Sequence, residues 1–210
     1  MKYWKAGAAA AAMVAMAGTP HAALVFQGRL ADNTASATCT SDGAGGTSKC
    51  ASYYLSDPSD SSFQGFTILN NWNIGKGFWD AGAAANSAQA LAAEAGLTAT
   101  GLSGWLLPTG DKSQAAGALN QFRSIWNAVG DSWTGLQGQF DGVLDSVYWS
   151  GTERDTSSAW VFYSNGGVSG AYLHLNQWFA VAVRAGDVAA SVPEPQTLAL
   201  ATANHWFKCK

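Results

Sequence analysis

The chain has 210 residues, which is enough for one domain with a substantial hydrophobic core. Only 12% of the residues are charged, whereas glycine (24) and tryptophan (10) are abundant, and this composition excludes a coiled coil and a highly charged disordered chain. Between Leu24 and Val192, seven basic and thirteen acidic side chains give a net charge of −6 before any histidine charge, with no basic stripe. Nucleic acids and anionic membranes are therefore not expected partners.

The first 22 residues have the pattern of a secretory signal peptide. Lys2 and Lys5 precede an apolar run, residues 6–17, that is too short to span a bilayer. Cleavage after Ala17 or after Ala22 fits the small residues found there. We expect export to the cell surface or the extracellular medium, with no stable membrane span.

Residues 23–65 form a loop-rich segment by composition, with one short strand expected at 53–55. Cys39 and Cys50 bracket a glycine-rich stretch, and in an exported protein we expect them to form a disulfide. Two cysteines without nearby histidines cannot fill a zinc site.

The middle of the chain predicts two helices. After a strand and turn in residues 66–79, alanine-rich residues 80–96 predict a helix that stops at Gly96. A second helix is predicted over residues 112–129, with Asp111 and Gln114 as a capping box. Apolar residues recur there at helical spacing and are expected in the core: Ala115, Leu119, Phe122, Ile125, Trp126 and Val129.

The last third of the chain alternates with the period of a strand. Strands are predicted over residues 159–164, 168–175 and 178–186, and the Asn-Gly-Gly at 165–167 predicts a hairpin turn between the first two. Helices followed by antiparallel strands predict an α+β domain with two helices and a hairpin-rich C-terminal sheet.

Four short motifs follow one another along the chain: GWLLPT (104–109), YWSGTE (148–153), AWVFYSNGG (159–167) and FAVAVRAGDV (179–188). Their order resembles the Lcl C-terminal domain family. The resemblance covers residues 66–188 and implies a C-type-lectin-like single domain. It makes five residues framework positions: Trp105, Pro108, Trp149, Trp160 and Arg184. Leu106 stands where the family usually has arginine.

Residues 189–210 contain Val-Pro-Glu-Pro at 192–195, and the apolar run after it is interrupted at Asn204 and His205, with no arginine cluster following. The start of this segment resembles a PEP-CTERM sorting signal. A membrane span needs about 20 apolar residues. We therefore expect a truncated or frame-shifted remnant of an anchor.

Catalytic chemistry has little support in the sequence. Of the three histidines, only His174 lies in the body of the domain, which excludes any site that needs two histidines there. Glu153 with an aspartate could serve a glycan hydrolase. Loop oxygens of Asp141, Asp145, Glu153 and Asp155 could hold calcium. Solvated loop charges explain the same residues, so no catalytic residue, metal or cofactor is assigned.

Binding through aromatic side chains is the favoured hypothesis. On alternate positions, Trp160, Phe162, Val181 and Val183 are expected to face inward. The opposite set is predicted to face a ligand, because aromatic faces stack on sugar rings and polar tips give direction. Its members are Tyr163, Asn165, Tyr172, His174, Asn176 and Trp178.

We therefore expect a non-enzymatic bacterial surface or matrix protein that binds polysaccharide or a cell-surface protein. Two alternatives remain open: a C-type-lectin-like binder diversified by a retroelement over residues 163–179, and a glycan hydrolase that uses Glu153.

Overall fold

The computed structural model describes residues 24–189, and the predicted signal peptide and most of the predicted tail lie outside them. This part of the chain confirms the α+β class, with two five-stranded sheets and three α-helices. The strands are β1 (Val25–Arg29), β2 (Ala35–Ser36), β3 (Ser52–Ser56), β4 (Phe66–Leu69), β5 (Lys76–Gly77), β6 (Val147–Asp155), β7 (Ser158–Tyr163), β8 (Val168–Leu173), β9 (Trp178–Phe179) and β10 (Val183–Ala185). The helices are α1 (Ala88–Thr100), α2 (Gln121–Ala128) and α3 (Trp133–Gln139).

The first sheet joins the two ends of the described chain. Its order is β10-β4-β3-β1-β2, and every pair is antiparallel. Residues 23–65, expected to be mainly loops, supply three of its five strands. These strands are short and lie among Ser, Gly and Asp, so the local composition predicts loops. They form because they pair with other strands, as β3 does with β4, where Tyr53 lies opposite Ile68.

The second sheet has the order β5-β9-β6-β7-β8, with one parallel pair, β6–β9. The prediction of one strand over residues 178–186 is wrong. Its first part, β9, belongs to the second sheet and its last part, β10, to the first. Between them Ala180, Val181 and Ala182 are fully buried, so the chain passes from one sheet to the other through the interior.

Two hydrophobic cores lie on opposite faces of the second sheet. The first core includes Ile68, Trp72, Phe122, Tyr148 and Phe162. The second core includes Trp79, Ala92, Trp105, Trp149 and Val161. Neighbouring residues in β6 and in β7 thus enter different cores, because successive side chains of a strand point to opposite faces.

Helix α1 begins and ends later than the sequence predicts. Residues 80–87 form turns in which the Asp80 carboxylate accepts the Gly82 and Ala84 N–H groups, and Ser87 caps the helix by accepting the Ala90 N–H. Gly96 does not stop the helix. A Cβ at Gly96 would overlap the Trp105 ring, so this glycine admits a close packing partner.

The second predicted helix is shorter than expected and lacks the predicted capping box. The Asp111 carboxylate accepts the Ser113 N–H in a turn. Helix α2 starts only after Asn120, whose Oδ1 accepts the Arg123 N–H. The Asn120 amide also donates to the Asp111 and Gln114 carbonyls. Leu119, expected in the core, is 64% exposed. Helix α3 was not predicted.

Candidate functional site

The predicted hairpin is confirmed and carries the candidate site. Strands β7 and β8 pair from Ser158↔Leu173 to Tyr163↔Val168. In the turn, Gly167 has a φ of 62°, and a Cβ there would overlap the Trp126 ring of α2. The turn is thereby held against the first core.

Three rings on the second-core face of this sheet form what we call the aromatic patch: Tyr163, Tyr172 and Trp178. All are half-buried and pack against the second core. Ring centroids are 6.3 Å apart for Tyr163–Tyr172 and 5.0 Å apart for Tyr172–Trp178. The Tyr163 hydroxyl donates to the Tyr172 hydroxyl at 3.1 Å. This hydrogen bond raises the pKa of Tyr163 to about 12, and burial of the hydroxyl contributes a smaller part of the increase.

His174 lies next to the aromatic patch but packs on another ring. Its imidazole stacks on Trp79 with centroids 4.3 Å apart and planes 25° apart. Its Nε2 and the Trp178 Nε1 are buried, and neither has a hydrogen-bond partner among residues 24–189. Two directional polar atoms thus lie beside the patch without partners, which is uncommon for buried groups.

The two asparagines of the predicted set lie in turns. Asn165 is exposed at the hairpin tip, and Asn176 is half-buried after β8, where its backbone N–H donates to the Leu173 carbonyl. Neither side chain makes a hydrogen bond within the described residues. The structure groups Tyr163, Tyr172 and Trp178 by direct contact and leaves the asparagines outside that group.

The predicted inward set is partly wrong. Phe162, Val181 and Val183 are buried, as expected, but Trp160 is only half-buried. Its ring has the Lys112 ammonium 5.4 Å and the Arg154 guanidinium 5.8 Å from its centroid. Trp160 follows the alternation of β7, but the first core ends before its position.

The other residues predicted as framework have structural contacts. The Trp105 indole donates to the Thr100 hydroxyl and the Trp149 indole to the Gly77 carbonyl. Pro108 is buried, and Arg184 Nε donates to the Ser103 carbonyl at 2.9 Å. Leu106, at the position where the sequence resemblance leads us to expect arginine, is 57% exposed.

A groove that the sequence did not indicate lies away from the patch. It has a volume of about 1010 Å³ and lies beside the disulfide, between β1, β2 and the end of α3. Its lining includes Phe26, Tyr53, Gln27, Asp42 and Gln139. A second cleft of about 690 Å³ lies between α1 and the first sheet. Because these residues come from distant segments, no local pattern could have indicated the groove.

The disulfide between Cys39 and Cys50 is confirmed, with Cα atoms 5.2 Å apart.

The acidic residues considered for catalysis or calcium are dispersed. Glu153 and Asp145 are exposed, and Asp141 forms an ion pair with Lys49. Hydrogen bonds from Ser157 and Ser158 lower the pKa of Asp155 to about 2, and the bond from the Ser158 hydroxyl has the largest effect. No group of three potential metal ligands occurs within residues 24–189.

No family model and no curated protein matches the chain. Across the described residues, the longest helix is α1 with 13 residues, and none could cross a bilayer.

Proposed function

We propose that the chain is a secreted binding module of C-type-lectin-like fold that recognises polysaccharide at the aromatic patch. The observation that carries this proposal is the contact series Tyr163–Tyr172–Trp178. Beside it, Trp178 Nε1 and His174 Nε2 have no hydrogen-bond partner among residues 24–189. A sugar ring needs an apolar face to stack on and directional groups for its hydroxyls, and the patch offers both.

The hydrogen bond inside the patch leaves a donor for the ligand. Because the Tyr172 hydroxyl accepts the proton of Tyr163, its own O–H is free to donate elsewhere. The Trp178 indole can only donate, whereas His174 Nε2 accepts or donates according to its tautomer. Because Trp178 Nε1 and His174 Nε2 are buried in this structure, their use by a ligand requires the half-buried rings to move.

Export forms part of the proposal. The Cys39–Cys50 disulfide supports it, because disulfides persist in oxidising compartments outside the cytosol. The signal peptide and the sorting-signal remnant rest on the sequence alone.

The test is binding of the full chain to an array of glycans and extracellular polysaccharides, with calcium and with a chelator. Trp178→Phe keeps a ring and removes the N–H, and Tyr172→Phe removes the hydroxyl. Each should weaken a hit about tenfold, as expected for one lost hydrogen bond. Trp160→Phe is the matched control, because Trp160 is equally half-buried but lies on the other face of β7.

Other outcomes would overturn parts of the proposal. A hit weakened by Asp42→Asn or Gln139→Ala, but not by the patch variants, would move the site to the groove beside the disulfide. A hit lost in chelator would add calcium to the site. Absence of binding to every polysaccharide would reject the ligand class and leave a protein partner.

A further inference from the structure

Strand β8 is the long edge of the second sheet. It is last in the order β5-β9-β6-β7-β8 and spans six residues with regular pairing to β7. The other sheet ends within the described chain are short: β2 and β5 have two residues each and β10 has three. Strand β10 is also bridged at Val183 by Leu106.

Within residues 24–189, strand β8 lacks the features that normally protect an edge. Edge strands usually carry lysine, proline or a bulge, or are covered, because an open row of backbone groups pairs with other chains. No Asp, Glu, Lys, Arg or Pro occurs from residue 156 to residue 183. Three apolar side chains here are exposed, Val168 by 57%, Leu173 by 57% and Leu175 by 89%.

The ladder shows which backbone groups point outward. The His174 N–H donates to the Ser157 carbonyl, so this is a hydrogen-bonded pair of the β7–β8 ladder. Such pairs alternate along antiparallel strands. The N–H and C=O groups of Ser169, Ala171 and Leu173 therefore point away from β7. The Leu173 carbonyl already accepts the Asn176 N–H and has one lone pair left for a second donor.

We propose that β8 pairs antiparallel with β8 of a second copy of this chain, about a two-fold axis at Ala171. The strand is self-complementary: it carries no charge that would repel an identical strand, and a small residue lies on the axis. In this register Leu173 lies opposite Ser169 of the second copy. On the other face Tyr172 lies opposite Gly170 of the second copy, over which the Tyr163 ring of that copy packs.

The pairing closes at two copies. The opposite end of the same sheet, β5, is two residues long and carries Lys76, so it offers no second edge for growth. A two-fold dimer uses β8 of both copies and leaves no long edge open within residues 24–189. The dimer therefore brings Val168 and Leu173 to the interface without leading to a fibre.

The first test is the mass of the full chain in solution across a concentration series. A dimer that dissociates on dilution is expected, because pairing of one strand buries less than the roughly 1,200 Å² of a stable interface. Ser169→Pro should weaken association at least about tenfold, since it removes an outward donor at a position where an edge strand tolerates proline. Ser169→Thr keeps the N–H and should leave association unchanged.

The second test fixes the register, with Cys209→Ser in all variants. Residues opposite each other in a hydrogen-bonded pair have Cα atoms about 5.5 Å apart, within disulfide range. Ala171→Cys should therefore form a covalent dimer on oxidation. Leu173→Cys should do so only when mixed with Ser169→Cys.

Two results would overturn the proposal. One is a monomer at every concentration up to several hundred micromolar. The other is a dimer that Ser169→Pro leaves intact while circular dichroism shows an unchanged fold. Crosslinking of Leu173→Cys with itself, but not of Ala171→Cys, would refute the register.

Discussion

Removal of Asp187 from its ion pair with Arg29 should destabilise the first sheet, because it leaves a buried charge unpaired. Arg29 is 2% exposed, and both carboxylate oxygens of Asp187 accept from it, at 2.7 and 2.5 Å. The pair joins β1 to the segment after β10, across 158 residues of sequence. Asp187→Ala leaves a buried guanidinium without its carboxylate, which typically costs about 3–5 kcal/mol.

The contacts that remain place the expected loss at the lower end of that range. Arg29 keeps its hydrogen bonds to the Gly28 carbonyl and the Gln27 side chain, and Asp187 is itself 22% exposed. We expect Asp187→Ala to lower the free energy of unfolding by about 3 kcal/mol. Urea denaturation with the disulfide intact measures this value, with the exposed Asp145→Ala as the control, expected to change it by no more than about 0.5 kcal/mol.

A double variant tests the physical reason. If the cost comes from an unpaired buried charge, Arg29→Met added to Asp187→Ala should recover part of the loss. A loss below about 1 kcal/mol for Asp187→Ala, or a further loss in the double variant, would refute the reasoning.

Three further predictions follow from pH, packing and the disulfide. Burial raises the pKa of Asp187, but the hydrogen bond from Arg29, the Ala189 N–H and the Arg29 charge outweigh it and lower the pKa below 3.8. Because the pKa of Asp187 is lower in the folded state, its carboxylate adds stability above pH 3.8, and this stability is lost as the pH falls through the folded-state pKa. The free energies of unfolding in urea of the unsubstituted chain and of Asp187→Ala should therefore converge below pH 4. Gly96→Ala should destabilise the fold although alanine favours a helix, because the added Cβ would overlap the Trp105 ring. Gly138→Ala in α3 should instead stabilise the fold by up to about 1 kcal/mol, because the added Cβ meets no atom within 4 Å. Thermal unfolding of both variants measures these opposite changes. Replacing Cys39 and Cys50 together by serine should cost about 3 kcal/mol in urea, as expected for an 11-residue separation, and an unchanged midpoint would contradict this.

Local chemistry determined several features from the sequence alone. The β7–β8 hairpin was predictable because strand alternation flanks Asn165-Gly-Gly, a turn signal that needs no distant partner. The disulfide was predictable because Cys39 and Cys50 flank a short flexible loop in a chain with export features. The sequence also indicated Tyr163, Tyr172 and Trp178 as one group, because alternation along the strands places aromatic side chains on one face or the other of the hairpin.

Other features depend on residues far apart in the sequence, and only the tertiary structure decided them. Gly96 continues a helix because Trp105 packs there, and residues 178–186 form strands in two sheets because the chain passes between the two cores. The groove beside the disulfide and the open edge of β8 likewise exist only once the sheets are assembled. Turn propensity, periodicity and short loop closure act over a few residues, and the sequence displays them directly. Burial and strand neighbours depend on the whole assembled chain, so the same apolar pattern permits several arrangements until packing selects one.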